Sequence, residues 1–322
     1  MINTAVINTA VTRYLLRRLA AAVGVLWAAF TVSFVVLYLL PGDPVATMAS
    51  GGLDGEPLPP EQLAALRARY GLDQPVLVQY GHRLLAAATG DFGTSIQNGQ
   101  DVRSAILEAL PPTLQISAAG LLVAVLFGGT TALVATYTRA LWLRQLLMAL
   151  PSLAVSLPVF WVGLMLVQVF AFGLGLLPSV GANGPSALVL PAVTLGLPTG
   201  ALVAQVLAKS MSRALGEPYV TTARAKGVGR AGIHLRHALR NAALPALTVL
   251  GYVVGNLLAG SVVVETVFTR PGLGRLTVAA VGVQDIPLVQ GIVVFAAAVF
   301  VLVNLLVDLI YPLLDPRIGA TS

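Results

Sequence analysis

Apolar runs of about 20 residues alternate with polar connections along the chain. Each is long enough to cross the roughly 30 Å hydrocarbon core of a bilayer as a helix. The pattern predicts spans at Leu19–Leu40, Leu114–Tyr137, Leu147–Phe170, Leu188–Ala208, Ala242–Phe268 and Leu288–Tyr311. No small-residue cleavage site ends the first run, which reads as a retained span and not as a removed signal peptide. A polar, proline-punctuated stretch, Val45–Pro112, separates the first two runs. It predicts a small extramembrane module with short helices near Pro60–Tyr70 and Val76–Ala88. Gly173–Ser186 is a Gly/Pro-rich loop, Arg270–Arg275 a turn, and Asp315-Pro316-Arg317 closes the last run. The expected division is therefore an N-terminus 1–18, a first span 19–40 and an extracytoplasmic module 41–113. A helical core 114–318 follows, with a cytoplasmic loop 209–241, and then a tail 319–322.

Composition agrees. Of 322 residues, 57% are apolar and only 10% charged, against roughly a quarter charged in soluble domains. The solvent of such a chain is largely lipid. A net charge of +6 raises nucleic acid as a partner, but the basic side chains are gathered in a few loops. Thirteen of the 19 Lys and Arg residues fall on the side of the N-terminus, among them Arg17, Arg18, Arg139, Arg144, Lys209 and Arg213. Excess Lys and Arg marks the cytoplasm, so both termini are expected inside and Val45–Pro112 outside. The chain has no cysteine, which excludes disulfides, thiol catalysis and iron–sulfur ligation. Its three histidines, His82, His234 and His237, have no acidic partner at metal-ligand spacing. His234 and His237 are expected on a solvated or partner-facing helix. No catalytic cluster and no metal site is expected.

The basic loop Glu217–Pro245 carries the most information. Helix formers surround Ala223, Arg224, Ala225 and Lys226, and Gly227 then interrupts. The order predicts a short helix, a glycine-permitted turn and a second helix running into the fifth span. A short helix across the cytoplasmic end of a bundle is either a lever that docks on a soluble partner or a basic helix resting on anionic headgroups.

YVTTARAKG at Tyr219–Gly227, followed by LRHALRNAALP at Leu235–Pro245, resembles the cytoplasmic loop of binding-protein-dependent ABC importer permeases. The similarity is to the dipeptide/oligopeptide/nickel branch and its B-type subunit. LPGDP (Leu40–Pro44), YGLDQPVLVQY (Tyr70–Tyr80), GDFGTSI (Gly90–Ile96) and LPPTLQIS (Leu110–Ser117) follow that branch in order. So do VVVETVFTRPGLGRL (Val262–Leu276) and LVNLLVDLIYPLLDPRI (Leu302–Ile318). The general motif of such permeases opens Glu-Ala-Ala and places a glycine four residues beyond the second alanine. Here Thr221, Thr222 and Ala223 stand there, with Gly227 at the glycine. The glutamate's role has no bearer in this chain.

The resemblance implies an all-α polytopic membrane protein with about six spans in the type I ABC importer permease fold. It implies a multi-pass subunit of the bacterial cytoplasmic (inner) membrane that moves di- or oligopeptides by alternating access. Nickel chelates, glutathione or other small solutes are alternatives. Partners would be a second, C-type permease, two ATPase domains and an extracytoplasmic substrate-binding protein. The ATPase-coupling residues would be Tyr219, Thr222, Ala223, Arg224, Ala225, Lys226 and Gly227. The chain has no GxxxxGK[ST] loop, so it is not expected to be an enzyme. ATP and magnesium would sit on the partner ATPases, and this chain would bind no cofactor. Glu265 is a candidate gate residue or a partner of Arg270 or Arg275. Gln205 and Asn256, polar in mid-span, are expected in interhelical hydrogen bonds or along the path. Asn304 and Asp308 read as a polar helix–helix contact, and Trp142 and Tyr311 as interface anchors. An ion-coupled secondary transporter would need an acidic relay inside the membrane, and a membrane enzyme a catalytic cluster.

Overall fold

The structure, a computed structural model, describes residues 4–39, 59–69, 71, 73–179 and 184–314. The LPGDP segment and the Asp315–Ile318 end of the last motif lie outside them. Among the described residues every regular element is helical: α1 (Thr4–Leu39), α2 (Pro60–Arg69), α3 (Val76–Ala88), α4 (Val102–Tyr137), α5 (Leu141–Ser156) and α6 (Val159–Leu166). A π-helical turn, Val167–Gly173, continues α6. Then come α7 (Ser186–Leu215), α8 (Pro218–Ala225) and α9 (Arg230–Gly232), which is prolonged by the π-helical Ile233–Ala238. They are followed by α10 (Leu239–Val267), α11 (Leu273–Gly282) and α12 (Ile286–Leu314).

Among the described residues four stretches are long and apolar enough to cross a bilayer: Arg17–Leu37, Val102–Tyr137, Ser186–Leu215 and Ile286–Val303. Two bent pairs raise the number to six, Leu141–Ser156 with Val159–Gly173 and Arg230–Leu247 with Tyr252–Val267. The third run was expected to be one span. Instead α5 and α6 meet at 105°, because Pro158 denies the helix an N–H and forces Leu157 to extended backbone, φ −86° and ψ 133°. Pro151, Pro191, Pro198 and Pro245 lie inside helices without ending them, as membrane helices allow.

The chain forms two compact units, residues 1–110 with 276–305 and residues 111–275 with 306–322. In the first, Phe30 and Phe34 of α1 hold Tyr80 of α3 edge-on, with ring centroids 5.7 and 5.3 Å away. The Tyr80 hydroxyl meets Thr31 Oγ1 at 2.9 Å. Asp285, 1% exposed, caps α12 by accepting from Leu288 N–H. The same carboxylate accepts from the Ser95 hydroxyl (2.5 Å) and the Ile96 N–H (3.2 Å), which ties GDFGTSI to the head of α12. The loop expected to reach Pro112 turns helical at Val102, where the Asp101 carboxylate accepts from Arg103 N–H. Pro111 and Pro112 deprive the Leu107 and Glu108 carbonyls of partners. Both residues are exposed, and water can serve them.

In the second unit, α4 and α7 cross with their backbones in contact. A Cβ at Gly196 would stand 2.6 Å from the Gly120 carbonyl oxygen, and one at Gly128 would stand 2.6 Å from that of Gly200. Gly120, Ala124 and Gly128 thus face Gly196, Gly200 and Ala204, small residues at every fourth position on both helices. Around the crossing lies a core of Ile116, Leu190, Leu195, Val253, Leu257, Val264 and Phe268. A second, alanine-rich cluster joins Ala132, Leu207, Met211, Ala214, Ala238 and Ala242.

Candidate functional site

Helix α8 has eight residues, too few to hold as an isolated helix. Local chemistry and burial hold it. Pro218 occupies the first helical position after an extended Glu217, where its missing N–H costs nothing. At the other end the Gly227 N–H donates to the Arg224 carbonyl (2.9 Å) and the Val228 N–H to the Ala223 carbonyl (3.1 Å). Gly227 has φ +80°. These are the two hydrogen bonds of a Schellman cap with glycine in the left-handed conformation. Val220 (1% exposed) and Ala223 (7%) face inward. Thr221, Thr222, Arg224, Ala225, Lys226 and Gly227 are exposed. A Cβ at Gly227 would find nothing within 4 Å. The half-buried Tyr219 has its hydroxyl buried without a hydrogen-bond partner.

The segment behind α8 is bolted to the end of α4. Arg230 donates through Nη2 to the Tyr137 carbonyl, and its guanidinium carbon lies 4.7 Å from the Tyr137 ring centroid. The His234 ring sits between two carbonyl oxygens, Nδ1 at 3.0 Å from Arg230 and Nε2 at 3.1 Å from Thr136. It meets Tyr137 edge-on at 5.0 Å. The last carbonyls of a helix lack intrahelical donors and carry partial negative charge, so a cation and an imidazole suit that end. The expectation of a solvated or partner-facing His234 is corrected: it is 6% exposed, while His237 is half-buried. Leu235 and Arg236 hold the outward face between them.

Glu265 was expected at a gate or in an ion pair, and the structure draws it inward. It is 0% exposed and accepts from Thr113 Oγ1 (2.7 Å), Gly274 N–H (2.7 Å) and Arg275 N–H (3.2 Å). The guanidiniums turn elsewhere: Arg275 donates to the Thr269 carbonyl and Arg270 to that of Ala187. The glycines of the Arg270–Arg275 turn explain themselves here. A Cβ at Gly272 would lie 2.3 Å from the Glu265 carboxyl carbon, and one at Gly274 2.3 Å from Val262 Cα. Glu265 is the clasp that folds this turn against α10 and ties it to α4.

Gln205 on α7 and Asn256 on α10 are exposed in this single chain. Neither makes the expected interhelical hydrogen bond among the described residues. Asn304, Asp308 and Tyr311 lie on α12 with side chains outside the described residues, and Trp142 is 68% exposed. Among the described residues no group of three or more His, Cys, Asp or Glu is placed to hold a metal. Sequence reasoning missed Asp285, although an aspartate just before Ile286-Pro287 is a helix-start signal. It also missed the small residues at spacing four in α4 and α7.

Residues 124–320 match the family described as "Binding-protein-dependent transport system inner membrane component". Residues 11–117 match its N-terminal companion, "Binding-prot-dependent transport system membrane comp, N-term". The glutathione transport system permease protein GsiC of Salmonella typhimurium (strain LT2) is 38% identical over 305 residues, covering 95% of this chain and 98% of the relative. The protein of that name from Escherichia coli (strain K12) is 37% identical over the same lengths. A solved structure, "Crystal structure of an amino acid ABC transporter with histidines", aligns with a TM-score of 0.50 at 18% identity. It covers 67% of this chain and 94% of that one. The last likeness concerns the fold alone, and the fold is that of a type I permease.

Proposed function

The chain belongs to the family of binding-protein-dependent transport system inner membrane components, as a permease subunit of an ABC importer, and on that premise we propose that α8 couples its spans to a partner ATPase. The observation that carries this reading is the geometry of α8. It is a two-turn helix with a locked C-terminus, anchored by Val220 and Ala223, with Thr222, Arg224, Ala225 and Lys226 turned outward. The open space around Gly227 lets a partner surface come against the backbone. Arg224 and Lys226 suit acidic residues on that partner. A helix resting on lipid would instead be expected to present apolar side chains to the acyl region, and the outward face of α8 presents none larger than alanine and threonine.

ATP and magnesium are bound and used by two ATPase domains, and this chain supplies no group to the hydrolysis. Their closure pulls α8, and the bolt at Arg230 and His234 passes the displacement to α4. A ligand or nucleotide moves such an equilibrium only through different contacts in its two states, so α8 stays docked throughout. A second, homologous permease faces this one, and the solute passes between them. Gln205 and Asn256 line that path. An amide turned to lipid is costly, whereas one turned to a wet path or a polar partner is not. Both termini and α8 lie on the cytoplasmic side. The module between α1 and α4 lies outside, where a substrate-binding protein delivers the solute.

The solute is a short peptide. Glutathione, itself a tripeptide, falls in that class and is the solute in the relatives' names. Uptake into proteoliposomes carrying the complete complex, tested with glutathione, dipeptides, longer peptides and a nickel chelate, decides the class. Uptake of the chelate alone would end the peptide reading, and uptake without ATP would end the importer mechanism proposed here.

A further inference from the structure

One cavity is lined wholly by residues of the first unit. It is lined by α1, α3 and the head of α12, beside the Gly90–Ile96 loop, and holds about 320 Å³. That is roughly ten times the ~30 Å³ share of a single water. Phe30, Phe92 and Pro287 give it an apolar wall. Two donors that line it make no hydrogen bond to the described groups around them. Gln290 is 3% exposed and its Nε2 is buried with no hydrogen-bond partner. Arg83, partly buried, makes no hydrogen bond or ion pair among the described residues. Burial holds its guanidinium below the usual arginine range, because desolvation disfavours the charged form. A buried amide and a guanidinium left this way together call for an anionic acceptor.

Depth and surroundings narrow the class. Phe30 stands seven residues before the end of the apolar stretch Arg17–Leu37, about 10 Å along the helix. Gln290 stands four residues into α12, roughly 6 Å from its start. The cavity thus lies just below the headgroup level of one leaflet. Helix α3 has 13 residues, too few to span. Its Leu77 is 84% exposed and Leu85 71%, whereas Gln79 is 7% exposed. An amphipathic helix with one apolar face uncovered lies in the membrane interface.

We propose that Arg83 and Gln290 hold the phosphodiester of a membrane phospholipid seated in this cavity, with Phe30 and Phe92 against its glycerol and acyl carbons. Inorganic phosphate shares the anionic chemistry but leaves the apolar wall and the uncovered face of α3 unused. Asp91 also lines the cavity, with Oδ1 taken by the Gly93 N–H. Its charge favours a headgroup that carries an ammonium, so ethanolamine phospholipid is preferred to the glycerol form.

The test uses the complete transport complex, purified in detergent, stripped of loosely held lipid and weighed by native mass spectrometry. One phospholipid should remain per copy of this chain. Phosphatidylethanolamine should outcompete phosphatidylglycerol, and a large excess of inorganic phosphate should displace neither. Arg83→Gln and Gln290→Leu should each lower retention about tenfold, with Arg83→Lys intermediate, because the ammonium keeps the charge and loses the fork. Retained ATPase co-purification shows that each variant assembles. If Arg83→Gln does not assemble, Gln290→Leu decides alone. An empty cavity predicts that Gln290→Leu raises the thermal midpoint, since an unpaired buried amide is removed. A seated lipid predicts that it lowers it. Equal retention in wild type and variants overturns the proposal, as does displacement by inorganic phosphate. A preference for phosphatidylglycerol overturns the role given to Asp91.

Discussion

Substitution of Gly227 separates strain inside the chain from interference outside it. At φ +80° any residue with a Cβ meets the penalty of the left-handed region, about 1–2 kcal/mol. No atom lies within 4 Å of that Cβ, so within this chain the backbone penalty is the whole cost. A β-branched residue sits at the upper end of that range, and asparagine, which visits this region, near the bottom. Every ~1.4 kcal/mol is a factor of ten. At about 2 kcal/mol, Gly227→Val should therefore reduce the capped population of α8 about thirtyfold. With the cap open, the hydrogen bonds from Gly227 and Val228 are lost and the helix end frays. In proteoliposomes containing the complete complex, ATP hydrolysis should continue while uptake collapses, and solute capture by the binding protein should stay intact. Gly227→Asn keeps the cap. If it too loses uptake, its side chain is meeting the partner surface proposed to lie against this turn. Wild-type uptake by Gly227→Val, at an unchanged ratio of solute moved to ATP used, would remove α8 from the coupling path.

Three further outcomes follow from the geometry. Glu265→Gln turns an amide N–H₂ toward groups that are themselves donors, and should cost about 1–3 kcal/mol, read as a lower unfolding midpoint in detergent; an unchanged midpoint would mean the clasp holds nothing. Gly196→Ala places a methyl 2.6 Å from the Gly120 carbonyl oxygen and should destabilise by about 1–3 kcal/mol. Gly129→Ala, with nothing within 4 Å, should be neutral or stabilise by up to about 1 kcal/mol; equal effects at the two sites would discard the close crossing. Cysteines placed at Asp73 and Lys226, both exposed, should react with impermeant reagent from opposite sides of the membrane, and labelling of both from one side would overturn the orientation.

Local signals were legible in the sequence and distant ones were not. Gly227 after a run of helix formers announced a glycine-permitted turn, and the turn is there with Gly227 in the left-handed region. The prolines were ambiguous. Pro158 breaks a span that hydropathy drew through it, while Pro111 and Pro112 sit inside a helix that their presence seemed to deny. The difference lies in where the orphaned carbonyls fall, which hydropathy does not encode. Glu265 was noticed as an acid near a span end, but its partners include Thr113, 152 positions away, and the backbone of a turn. Composition could not separate a clasp from a gate. Asp285 is joined to Ser95 across 190 positions, and His234 to the end of α4 across 98. Such pairings arise only once the helices have packed.

The glycine crossing of α4 and α7 sets how the permease can yield to a push. Where side chains intervene, two helices can slide by letting rotamers give. Where the Gly120 and Gly200 carbonyl oxygens already face the opposing backbone, there is nothing left to compress. Sliding by a fraction of a turn would drive Val123 or Val203 into that backbone. The pair must therefore tilt as one stiff beam about the crossing. From Gly200 to the end of α7 at Leu215 is about 22 Å along the axis, so a tilt of roughly 5° carries that end about 2 Å. A stroke of that size, applied at the basic loop, would be delivered along α7 as rotation with almost nothing lost to flexing.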